Sequence, residues 1–254
     1  MNKPIRKPLA IRPATGGTPL RTAMVMAAGL GKRMRPLTVT RPKPLVHVAG
    51  KALLDHTLDR LRAAGIMRAV VNVHYLADSV EAHLRSKASD MAILVSDERG
   101  QLLETGGGLI KALPLIEDDP FLCVNSDNLW VDGPVDAIGL LSERWNAEEM
   151  DALLLVVPQA RANCHTGPGD FHLDPEGRVS RRKPGRVAPF VYTGIQIVSH
   201  RLLRDAPEGA FSTNIFWDRA IAEGRCYGLV HEGLWFDVGT PVAVKKTEAM
   251  LAHG

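Results

Sequence analysis

Short apolar runs alternate with amphipathic segments over residues 22–157, and this alternation constrains the fold more than any other feature of the chain. The apolar run 22–27 is closed by Ala28 and Gly29, which predicts a strand buried on both faces. Residues 52–64 repeat leucine at helical spacing before Gly65, which predicts a helix. Later runs predict, in order, the strand 69–73, the helix 78–86, the strands 91–95 and 121–124, the helix 135–146 and the strand 152–157. We therefore expect an α/β fold with a Rossmann-like, mainly parallel central sheet flanked by helices.

The two ends of the chain differ from this middle part. Residues 1–21 are rich in Pro, Gly, Thr and Arg without helical or strand periodicity, so we expect a flexible basic leader. Residues 22–254 are predicted to form a single domain with a more irregular C-terminal half. The elements predicted there are the strands 171–173, 191–198 and 226–230 and the helices 214–223 and 240–251.

Charge is distributed unevenly along the chain. Eleven Lys and Arg residues precede Asp55, which is the first acidic residue, although the whole chain carries only +3. The remainder is therefore net acidic, which argues against a nucleic-acid-binding surface. A small anionic ligand near the N-terminal part is the better expectation.

Composition excludes several other classes of protein. The chain is 45% hydrophobic, as in ordinary globular proteins, and its three cysteines are far apart and form no C-x-x-C pair. No apolar run is long enough for a membrane span or a signal peptide. We therefore expect a cytoplasmic protein without a membrane partner, and the sequence does not predict its oligomeric state.

A candidate phosphate-binding loop follows the first predicted strand. Residues 27–38 read Ala-Ala-Gly-Leu-Gly-Lys-Arg-Met-Arg-Pro-Leu-Thr, and Pro42-Lys43-Pro44 comes soon after. Glycines let backbone N–H groups approach a polyphosphate, and the following cations neutralise it. The loop is not the dinucleotide fingerprint, because Met34 replaces the third glycine, and it lacks the Gly-Lys-Ser/Thr of a P-loop.

These residues resemble the signature of the sugar-1-phosphate nucleotidyltransferases. The resemblance continues through most of the chain in the segments Val71–Leu76, Glu104–Gly108, Val124–Asp127, Tyr192–Ile195 and Trp235–Pro241. It implies a glycosyltransferase-A-like fold, a nucleoside triphosphate and a sugar 1-phosphate as substrates, and Mg²⁺ as cofactor. The reaction it implies is in-line attack of a sugar phosphate oxygen on the α-phosphorus, with release of pyrophosphate.

The resemblance also implies roles for individual residues. Arg33 and Lys43 would be catalytic, with Lys43 between the two reacting phosphates, and Asp127 and Asp237 would hold the metal. Nucleotide contacts are expected from Ala28, Gly29, Gly31, Lys32, Arg33, Glu104, Gly106 and Gly107. Sugar-phosphate contacts are expected from Lys43, Asn125, Gly169, Asp170, Lys183, Thr193 and Gly194.

Some positions leave alternatives open. Ser126 replaces the glycine that usually precedes the first metal-binding aspartate, and Arg182 replaces an acidic residue before Lys183. The three glycines 106–108 are expected in a loop that feeds a helix and lies against the base. His74 could line the pocket or be a structural histidine.

Within the family, the residues resemble most closely the members that join UTP to N-acetylmuramate 1-phosphate in peptidoglycan recycling. Mannose-1-phosphate guanylyltransferases and other hexose or heptose phosphate enzymes are the nearest alternatives. A non-catalytic regulatory subunit that binds nucleotide sugars is the alternative from another class.

Overall fold

A computed structural model describes residues 16–86 and 91–253, apart from the side chain of His253. Its strands are, in chain order, β1 Thr22–Met26, β2 His47–Val48, β3 Lys51–Ala52, β4 Arg68–Val73, β5 Ala92–Asp97, β6 Phe121–Asn125, β7 Asn128–Val131, β8 Ala152–Pro158, β9 Ala162–Asn163, β10 Phe171–Leu173, β11 Val179–Arg181, β12 Phe190–Val198, β13 Cys226–Val230 and β14 Leu234–Asp237. Its helices are α1 Leu53–Ala63, α2 Ala77–Ser86, α3 Glu104–Ala112, α4 Ala137–Arg144, α5 Asn214–Ala222 and α6 Pro241–His253. The elements predicted over residues 22–157 are all present.

The central sheet is mainly parallel, as predicted. Strands β5, β4, β1 and β6 lie side by side in that order and run parallel. Strand β12 is antiparallel to β6 on one side and to β8 on the other, and β13 lies parallel to β8. The carboxyl ends of β1, β4 and β6 therefore meet at one edge, where ligands bind in sheets of this kind.

Side chains from alternate positions of β1 enter two separate hydrophobic clusters, which shows why this strand is apolar throughout. Ala23 and Val25 pack on one face of the sheet with leucines of α1 and residues of α2 and α4. Met24 packs on the other face with residues of α3 and α5. Helices thus cover both faces, and the loops at the strand ends remain accessible.

A second, three-stranded sheet has the order β7-β14-β9 and is absent from the predicted elements. Its strands are short and lie among Gly, Pro and charged residues, so their sequence carries little strand signal. Within this sheet Asp237 is paired with Asn128. Asn128 Nδ2 and Trp235 Nε1 both donate to the carbonyl of Thr193 in β12, at 2.7 and 2.9 Å, and so join the two sheets.

The last residues of the predicted leader belong to the fold, which corrects the boundary at residue 21. Leu20 is buried in the core, and Thr18 exchanges two hydrogen bonds with Ser142 of α4. Burial of the one large apolar residue in this segment explains the difference. The prediction for residues 1–15 lies outside the described residues.

A cavity of about 650 Å³ lies at the amino ends of β1 and β4, away from the sequence motifs, and is lined by Arg21, Arg60 and Met67 among others. Asp132 pairs with Arg60 there at 2.9 Å.

Across residues 16–86 and 91–253, no helix is both long and apolar enough to cross a membrane.

Candidate active site

A cleft of about 380 Å³ lies at the carboxyl ends of β1, β4 and β6. Its lining combines the predicted phosphate loop, the predicted catalytic lysine and a predicted metal-binding aspartate. The lining residues are Met26, Ala27, Ala28, Gly29, Lys43, Pro44, Asn72, Leu102, Glu104, Thr105, Asn125, Ser126, Asp127 and Ser212. The fold therefore brings the phosphate loop together with residues of Val71–Leu76, Glu104–Gly108 and Val124–Asp127, which all carry the resemblance.

The phosphate loop is held in place by local hydrogen bonds. Gly31 has a left-handed φ of 61°, which glycine adopts without strain, and its carbonyl accepts from Thr38 Oγ1 at 2.8 Å. A Cβ at Gly31 would lie 3.1 Å from Cβ of Lys43, so the loop packs closely on the lysine segment. At Gly29 a Cβ would meet nothing within 4 Å. The backbone at Gly29 therefore has open space in front of it for a ligand.

Lys43 and Asp127 form an ion pair inside the cleft. Lys43 Nζ lies 2.5 Å from Asp127 Oδ2, and 11% and 34% of the two side chains are exposed. Pro42 and Pro44 are buried on either side of Lys43, so its backbone is fixed. The lysine and the aspartate, which are distant in sequence, thus share one site.

The replacement of glycine by Ser126 is accommodated without displacing Asp127. Ser126 is buried, and both its backbone N–H and its hydroxyl donate to the carbonyl of Met26, at 3.1 and 2.8 Å. These bonds tie the end of β6 to the end of β1. Asp127 lies in the turn between β6 and β7, one residue before Asn128.

Asp237 lies beside the same turn, because it pairs with Asn128 across antiparallel strands. Residues paired in this way have Cα atoms about 4.5–5.5 Å apart. His165 Nδ1 lies 3.5 Å from Asp237 Oδ2, and 25% of the aspartate side chain is exposed. The fold therefore brings the two predicted metal-binding aspartates to adjacent positions.

Arg33 lies next to Asp237. A Cβ at Gly239 would be 3.1 Å from Arg33 Nη2 and 3.0 Å from Asp237 Oδ1, so both groups flank this glycine. Arg33 is exposed within the turn Lys32–Met34, while Met34 is fully buried and anchors that turn. Both predicted catalytic cations thus adjoin the predicted metal-binding aspartates.

The glycines 106–108 lie in the first turns of α3, and the prediction of a loop was wrong. A Cβ at Gly106 would lie 2.4 Å from the ring of Phe211, and one at Gly107 would lie 2.3 Å from the carbonyl of Gly209. The backbone N–H groups of both glycines donate to the Phe211 carbonyl. A glycine run is typical of loops, but here it permits close packing of a helix on the 209–211 segment.

The first residues of α3 face the cleft, and its glycines are buried. Glu104 has an unusual left-handed φ of 58° and is exposed at the cleft beside Thr105. Strained backbone in a residue other than glycine is common at ligand sites. Glu104 and Thr105 are therefore accessible to a ligand in the cleft, whereas Gly106 and Gly107 are buried behind them.

The predicted sugar-phosphate residues are divided between the cleft and the interior. Asn125 lines the cleft, and Gly194, with a φ of 83°, packs against it at a bulge in β12. Thr193 has no exposed surface, its hydroxyl donates to the carbonyl of Leu155 at 2.7 Å, and its own carbonyl accepts from two other side chains. A direct side-chain contact between Thr193 and a sugar is thus not available in this arrangement.

The remaining predicted sugar contacts lie on and near the hairpin of β10 and β11. Gly169 has a φ of 79° and packs on the carbonyl of Ala188. Asp170 accepts from the backbone N–H of Tyr192 at 2.9 Å, so one of its oxygens is used within the fold. Lys183 is exposed in the turn that follows β11.

Two polar residues beneath the cleft are absent from the predicted site. Asn72 lines the cleft and bonds to Ala27, and Glu98 bonds to Asn72. Asn72 falls within the segment Val71–Leu76 that carries the resemblance, but the resemblance implies no role for it, and Glu98 belongs to no motif. His74 Nδ1 contacts the carbonyl of Glu98 at 2.7 Å, which favours the structural alternative for this histidine.

Comparisons with known proteins agree with this geometry. Residues 22–253 match the family described as Nucleotidyl transferase. The chain is 47% identical over 234 residues to N-acetylmuramate alpha-1-phosphate uridylyltransferase of Caulobacter vibrioides, covering 91% of this chain and 97% of the relative. It is 36% identical to the protein of that name from Neisseria meningitidis, covering 90% and 97%. The crystal structure of HddC from Yersinia pseudotuberculosis has the same fold, with a TM-score of 0.74 at 22% identity, covering 91% and 99%.

Proposed function

Because the chain belongs to the nucleotidyl transferase family, we propose that it transfers a uridylyl group from UTP to N-acetylmuramate 1-phosphate and releases pyrophosphate. Similarity to sugar-1-phosphate nucleotidyltransferases establishes the class of enzyme, and the two uridylyltransferases support this choice of substrates. One observation supports the site assignment: Lys43 pairs with Asp127, Asp237 pairs with the residue that follows Asp127, and Arg33 flanks Gly239 together with Asp237. We propose that the predicted domain 22–254, together with residues 18–21 that pack on it, is one catalytic unit that works in the cytoplasm, in the recycling of peptidoglycan.

The reaction forms one bond and breaks one. A phosphate oxygen of the sugar 1-phosphate attacks the α-phosphorus of UTP, and the bond from that phosphorus to the bridging oxygen of pyrophosphate breaks. The attacking electron pair becomes the new P–O bond, and the leaving electron pair stays on pyrophosphate. Since no covalent enzyme intermediate is needed, catalysis consists of positioning and of stabilising negative charge.

Two cations of the site, Lys43 and Arg33, can stabilise this negative charge. We assign Lys43 to the space between the two reacting phosphates and Arg33 to the departing pyrophosphate. Open backbone at Gly29 gives the triphosphate room to approach the loop N–H groups. Lys43 pairs with Asp127, and this ion pair holds the lysine in the cleft.

The two aspartates fit a magnesium ion. Both are partly exposed carboxylates at adjacent positions, and Mg²⁺ commonly takes one or two protein carboxylates together with substrate phosphates and water. Among the described residues, no three His, Cys, Asp or Glu side chains cluster in a way that could hold a metal. Because of their adjacent positions and partial exposure, we propose Asp127 and Asp237 as the protein ligands, and the bound ion would neutralise phosphate charge.

Pyrophosphate release by the purified chain tests this function. The assay combines Mg²⁺ with each of UTP, GTP and dTTP, and with each of N-acetylmuramate 1-phosphate, mannose 1-phosphate and glucose 1-phosphate. We expect the highest kcat/KM with UTP and the muramate substrate. A preference for GTP and mannose 1-phosphate would replace the proposed substrates, and no release with any pair would indicate a non-catalytic binding protein.

A further inference from the structure

A buried pair of polar side chains, Asn72 and Glu98, lies beneath the floor of the cleft. Their exposed fractions are 1% and 0%. Asn72 Nδ2 donates to Glu98 Oε1 at 2.7 Å, and both side chains lie at the carboxyl ends of neighbouring strands. Buried polar groups of this kind are costly unless they are fully hydrogen-bonded, so the partners of the pair indicate what it holds together.

One end of the pair holds the phosphate loop. The backbone N–H of Ala27, the first residue after β1, donates to Asn72 Oδ1 at 2.6 Å. Ala28 and Gly29 follow directly and line the cleft. The position of Asn72 therefore sets where this loop begins.

The other end holds the start of α3. The backbone N–H of Leu103 donates to Glu98 Oε2 at 3.3 Å, and Leu103 immediately precedes the cleft residue Glu104. A Cβ at Gly108 would lie 2.6 Å from Glu98 Oε1 and 3.0 Å from Asn72 Nδ2. The helix thus packs directly on the pair, and a Cβ at this position would require the pair to shift.

We propose that Asn72 and Glu98 are positioning residues that fix the phosphate loop relative to the first turn of α3, and thereby set the affinity for the nucleoside triphosphate. The inference rests on the proposed function of the cleft. The two segments would hold opposite ends of one nucleotide, so a displacement between them weakens nucleotide binding. A displacement of about 1 Å can cost a factor of about 100 in rate. The sugar phosphate is not held by either segment, so its KM should change little.

Reversing the polarity of the pair gives a sharp test. In Asn72→Asp, a second acceptor replaces the donor that faces Glu98 Oε1. In Glu98→Gln, the new side-chain amide can take two orientations. One orientation places its NH₂ group against the Leu103 N–H, and the other places it against Asn72 Nδ2, so two donors face each other in either case. Combining N72D with E98Q restores every bond, because the introduced amide donates to the introduced carboxylate while its own oxygen accepts from Leu103.

The experiment measures KM for UTP, KM for N-acetylmuramate 1-phosphate, kcat and Tm for the wild type, both single variants and the double variant. Gln196→Met is the matched control, because it removes a buried bond from Trp217 Nε1 to Gln196 Oε1, 2.9 Å long, elsewhere in the sheet. We expect each single variant to raise KM for UTP about tenfold or more. The KM for the sugar phosphate should stay within about twofold, and the double variant should return to within about threefold of the wild type. Gln196→Met should lower Tm and leave both KM values and kcat unchanged.

Unchanged KM for UTP in both single variants would overturn the positioning role. So would a double variant that is no better than the worse single variant, or single variants that lower Tm without changing KM, as the control does. Failure of the proposed function is recognised separately, since the wild type would then not turn over UTP. In that case, the dissociation constant of whichever triphosphate the wild type binds, measured by calorimetry, replaces KM and is expected to follow the same pattern.

Discussion

At the scale of single residues, the structure joins side chains that are far apart in sequence. Lys43 and Asp127 are separated by 84 positions and form a direct ion pair. This pair joins a cation of the basic N-terminal part of the chain to a carboxylate of its acidic remainder. Because one partner is a cation and the other a proposed metal ligand, removing either changes the charge of the whole site.

Asp127→Asn is expected to lower kcat by about 100-fold or more, because it removes a negative charge from the proposed metal site. The side chain is one-third exposed and in a turn, so Tm should change little. Steady-state pyrophosphate release and thermal unfolding measure the two effects. Asp218→Asn is the matched control, since Asp218 pairs with Arg181 at 2.7 Å on the surface. A rate like that of the wild type in Asp127→Asn would remove Asp127 from the metal site.

The three cysteines should differ in reactivity. Burial raises the pKa of the Cys123 and Cys226 thiols to about 12, so almost no thiolate forms at neutral pH. Cys164 is only partly buried. Titration with a disulfide reagent at pH 8 should label Cys164 in the native protein and all three cysteines in denaturant. Equal labelling rates in the native protein would contradict the burial of the other two.

At the scale of elements, α3 departs most from expectation. Three consecutive glycines in sequence favour a loop, since glycine lowers helix stability by about 1 kcal/mol relative to alanine. In the structure they form helical turns against Phe211, Gly209 and Glu98. The helical conformation of these glycines depends on contacts with segments distant in sequence, and a local sequence pattern does not reveal such contacts.

Gly107→Ala should destabilise the protein by about 1–3 kcal/mol. Alanine gains about 1 kcal/mol in helix propensity, but its Cβ would lie 2.3 Å from a backbone carbonyl oxygen that cannot move freely. Differential scanning calorimetry would measure a Tm lowered by several degrees. Gly100→Ala is the control, because a Cβ there meets nothing within 4 Å. Equal Tm values for the two variants would show that α3 does not pack this closely.

The predictable and unpredictable elements differ in physical terms. Strands β1, β4 and β6 are predictable, because burial on both faces makes most of their positions apolar. The sheet containing β7 and β14 is not, since its short strands depend on partners far along the chain. Lys43 and Asp127 could be proposed from motifs, whereas the roles of Asn72 and Glu98 could not, because Asn72 bonds to residues 45 and 26 positions away along the chain.

At the scale of the whole molecule, the two ends of the central sheet have different roles. The carboxyl ends of β1, β4 and β6 hold the cleft. At the amino ends, residues 18–21 pack against α4 and the start of β4. Changes at the amino ends should therefore alter stability without altering the chemistry.

Two deletions test this separation. Removing residues 1–20 takes away Leu20 and the two hydrogen bonds between Thr18 and Ser142, so the Tm of this variant should be several degrees below that of a deletion of residues 1–15. Burial of a leucine contributes about 1.5–3 kcal/mol. Both deletions should keep kcat within about twofold of the full chain. A large loss of kcat in either would mean that this end of the chain acts at the cleft.

A double-mutant cycle on kcat, using Asp127→Asn, Asp237→Asn and the variant that carries both, tests most directly whether the two aspartates serve one site. They occupy neighbouring positions through the pairing of Asn128 with Asp237. Groups that act as a unit are strongly non-additive. We expect each single variant to lose about 100-fold or more and the double variant to lose little beyond that. A double variant whose loss is the product of the two single losses would contradict a shared site.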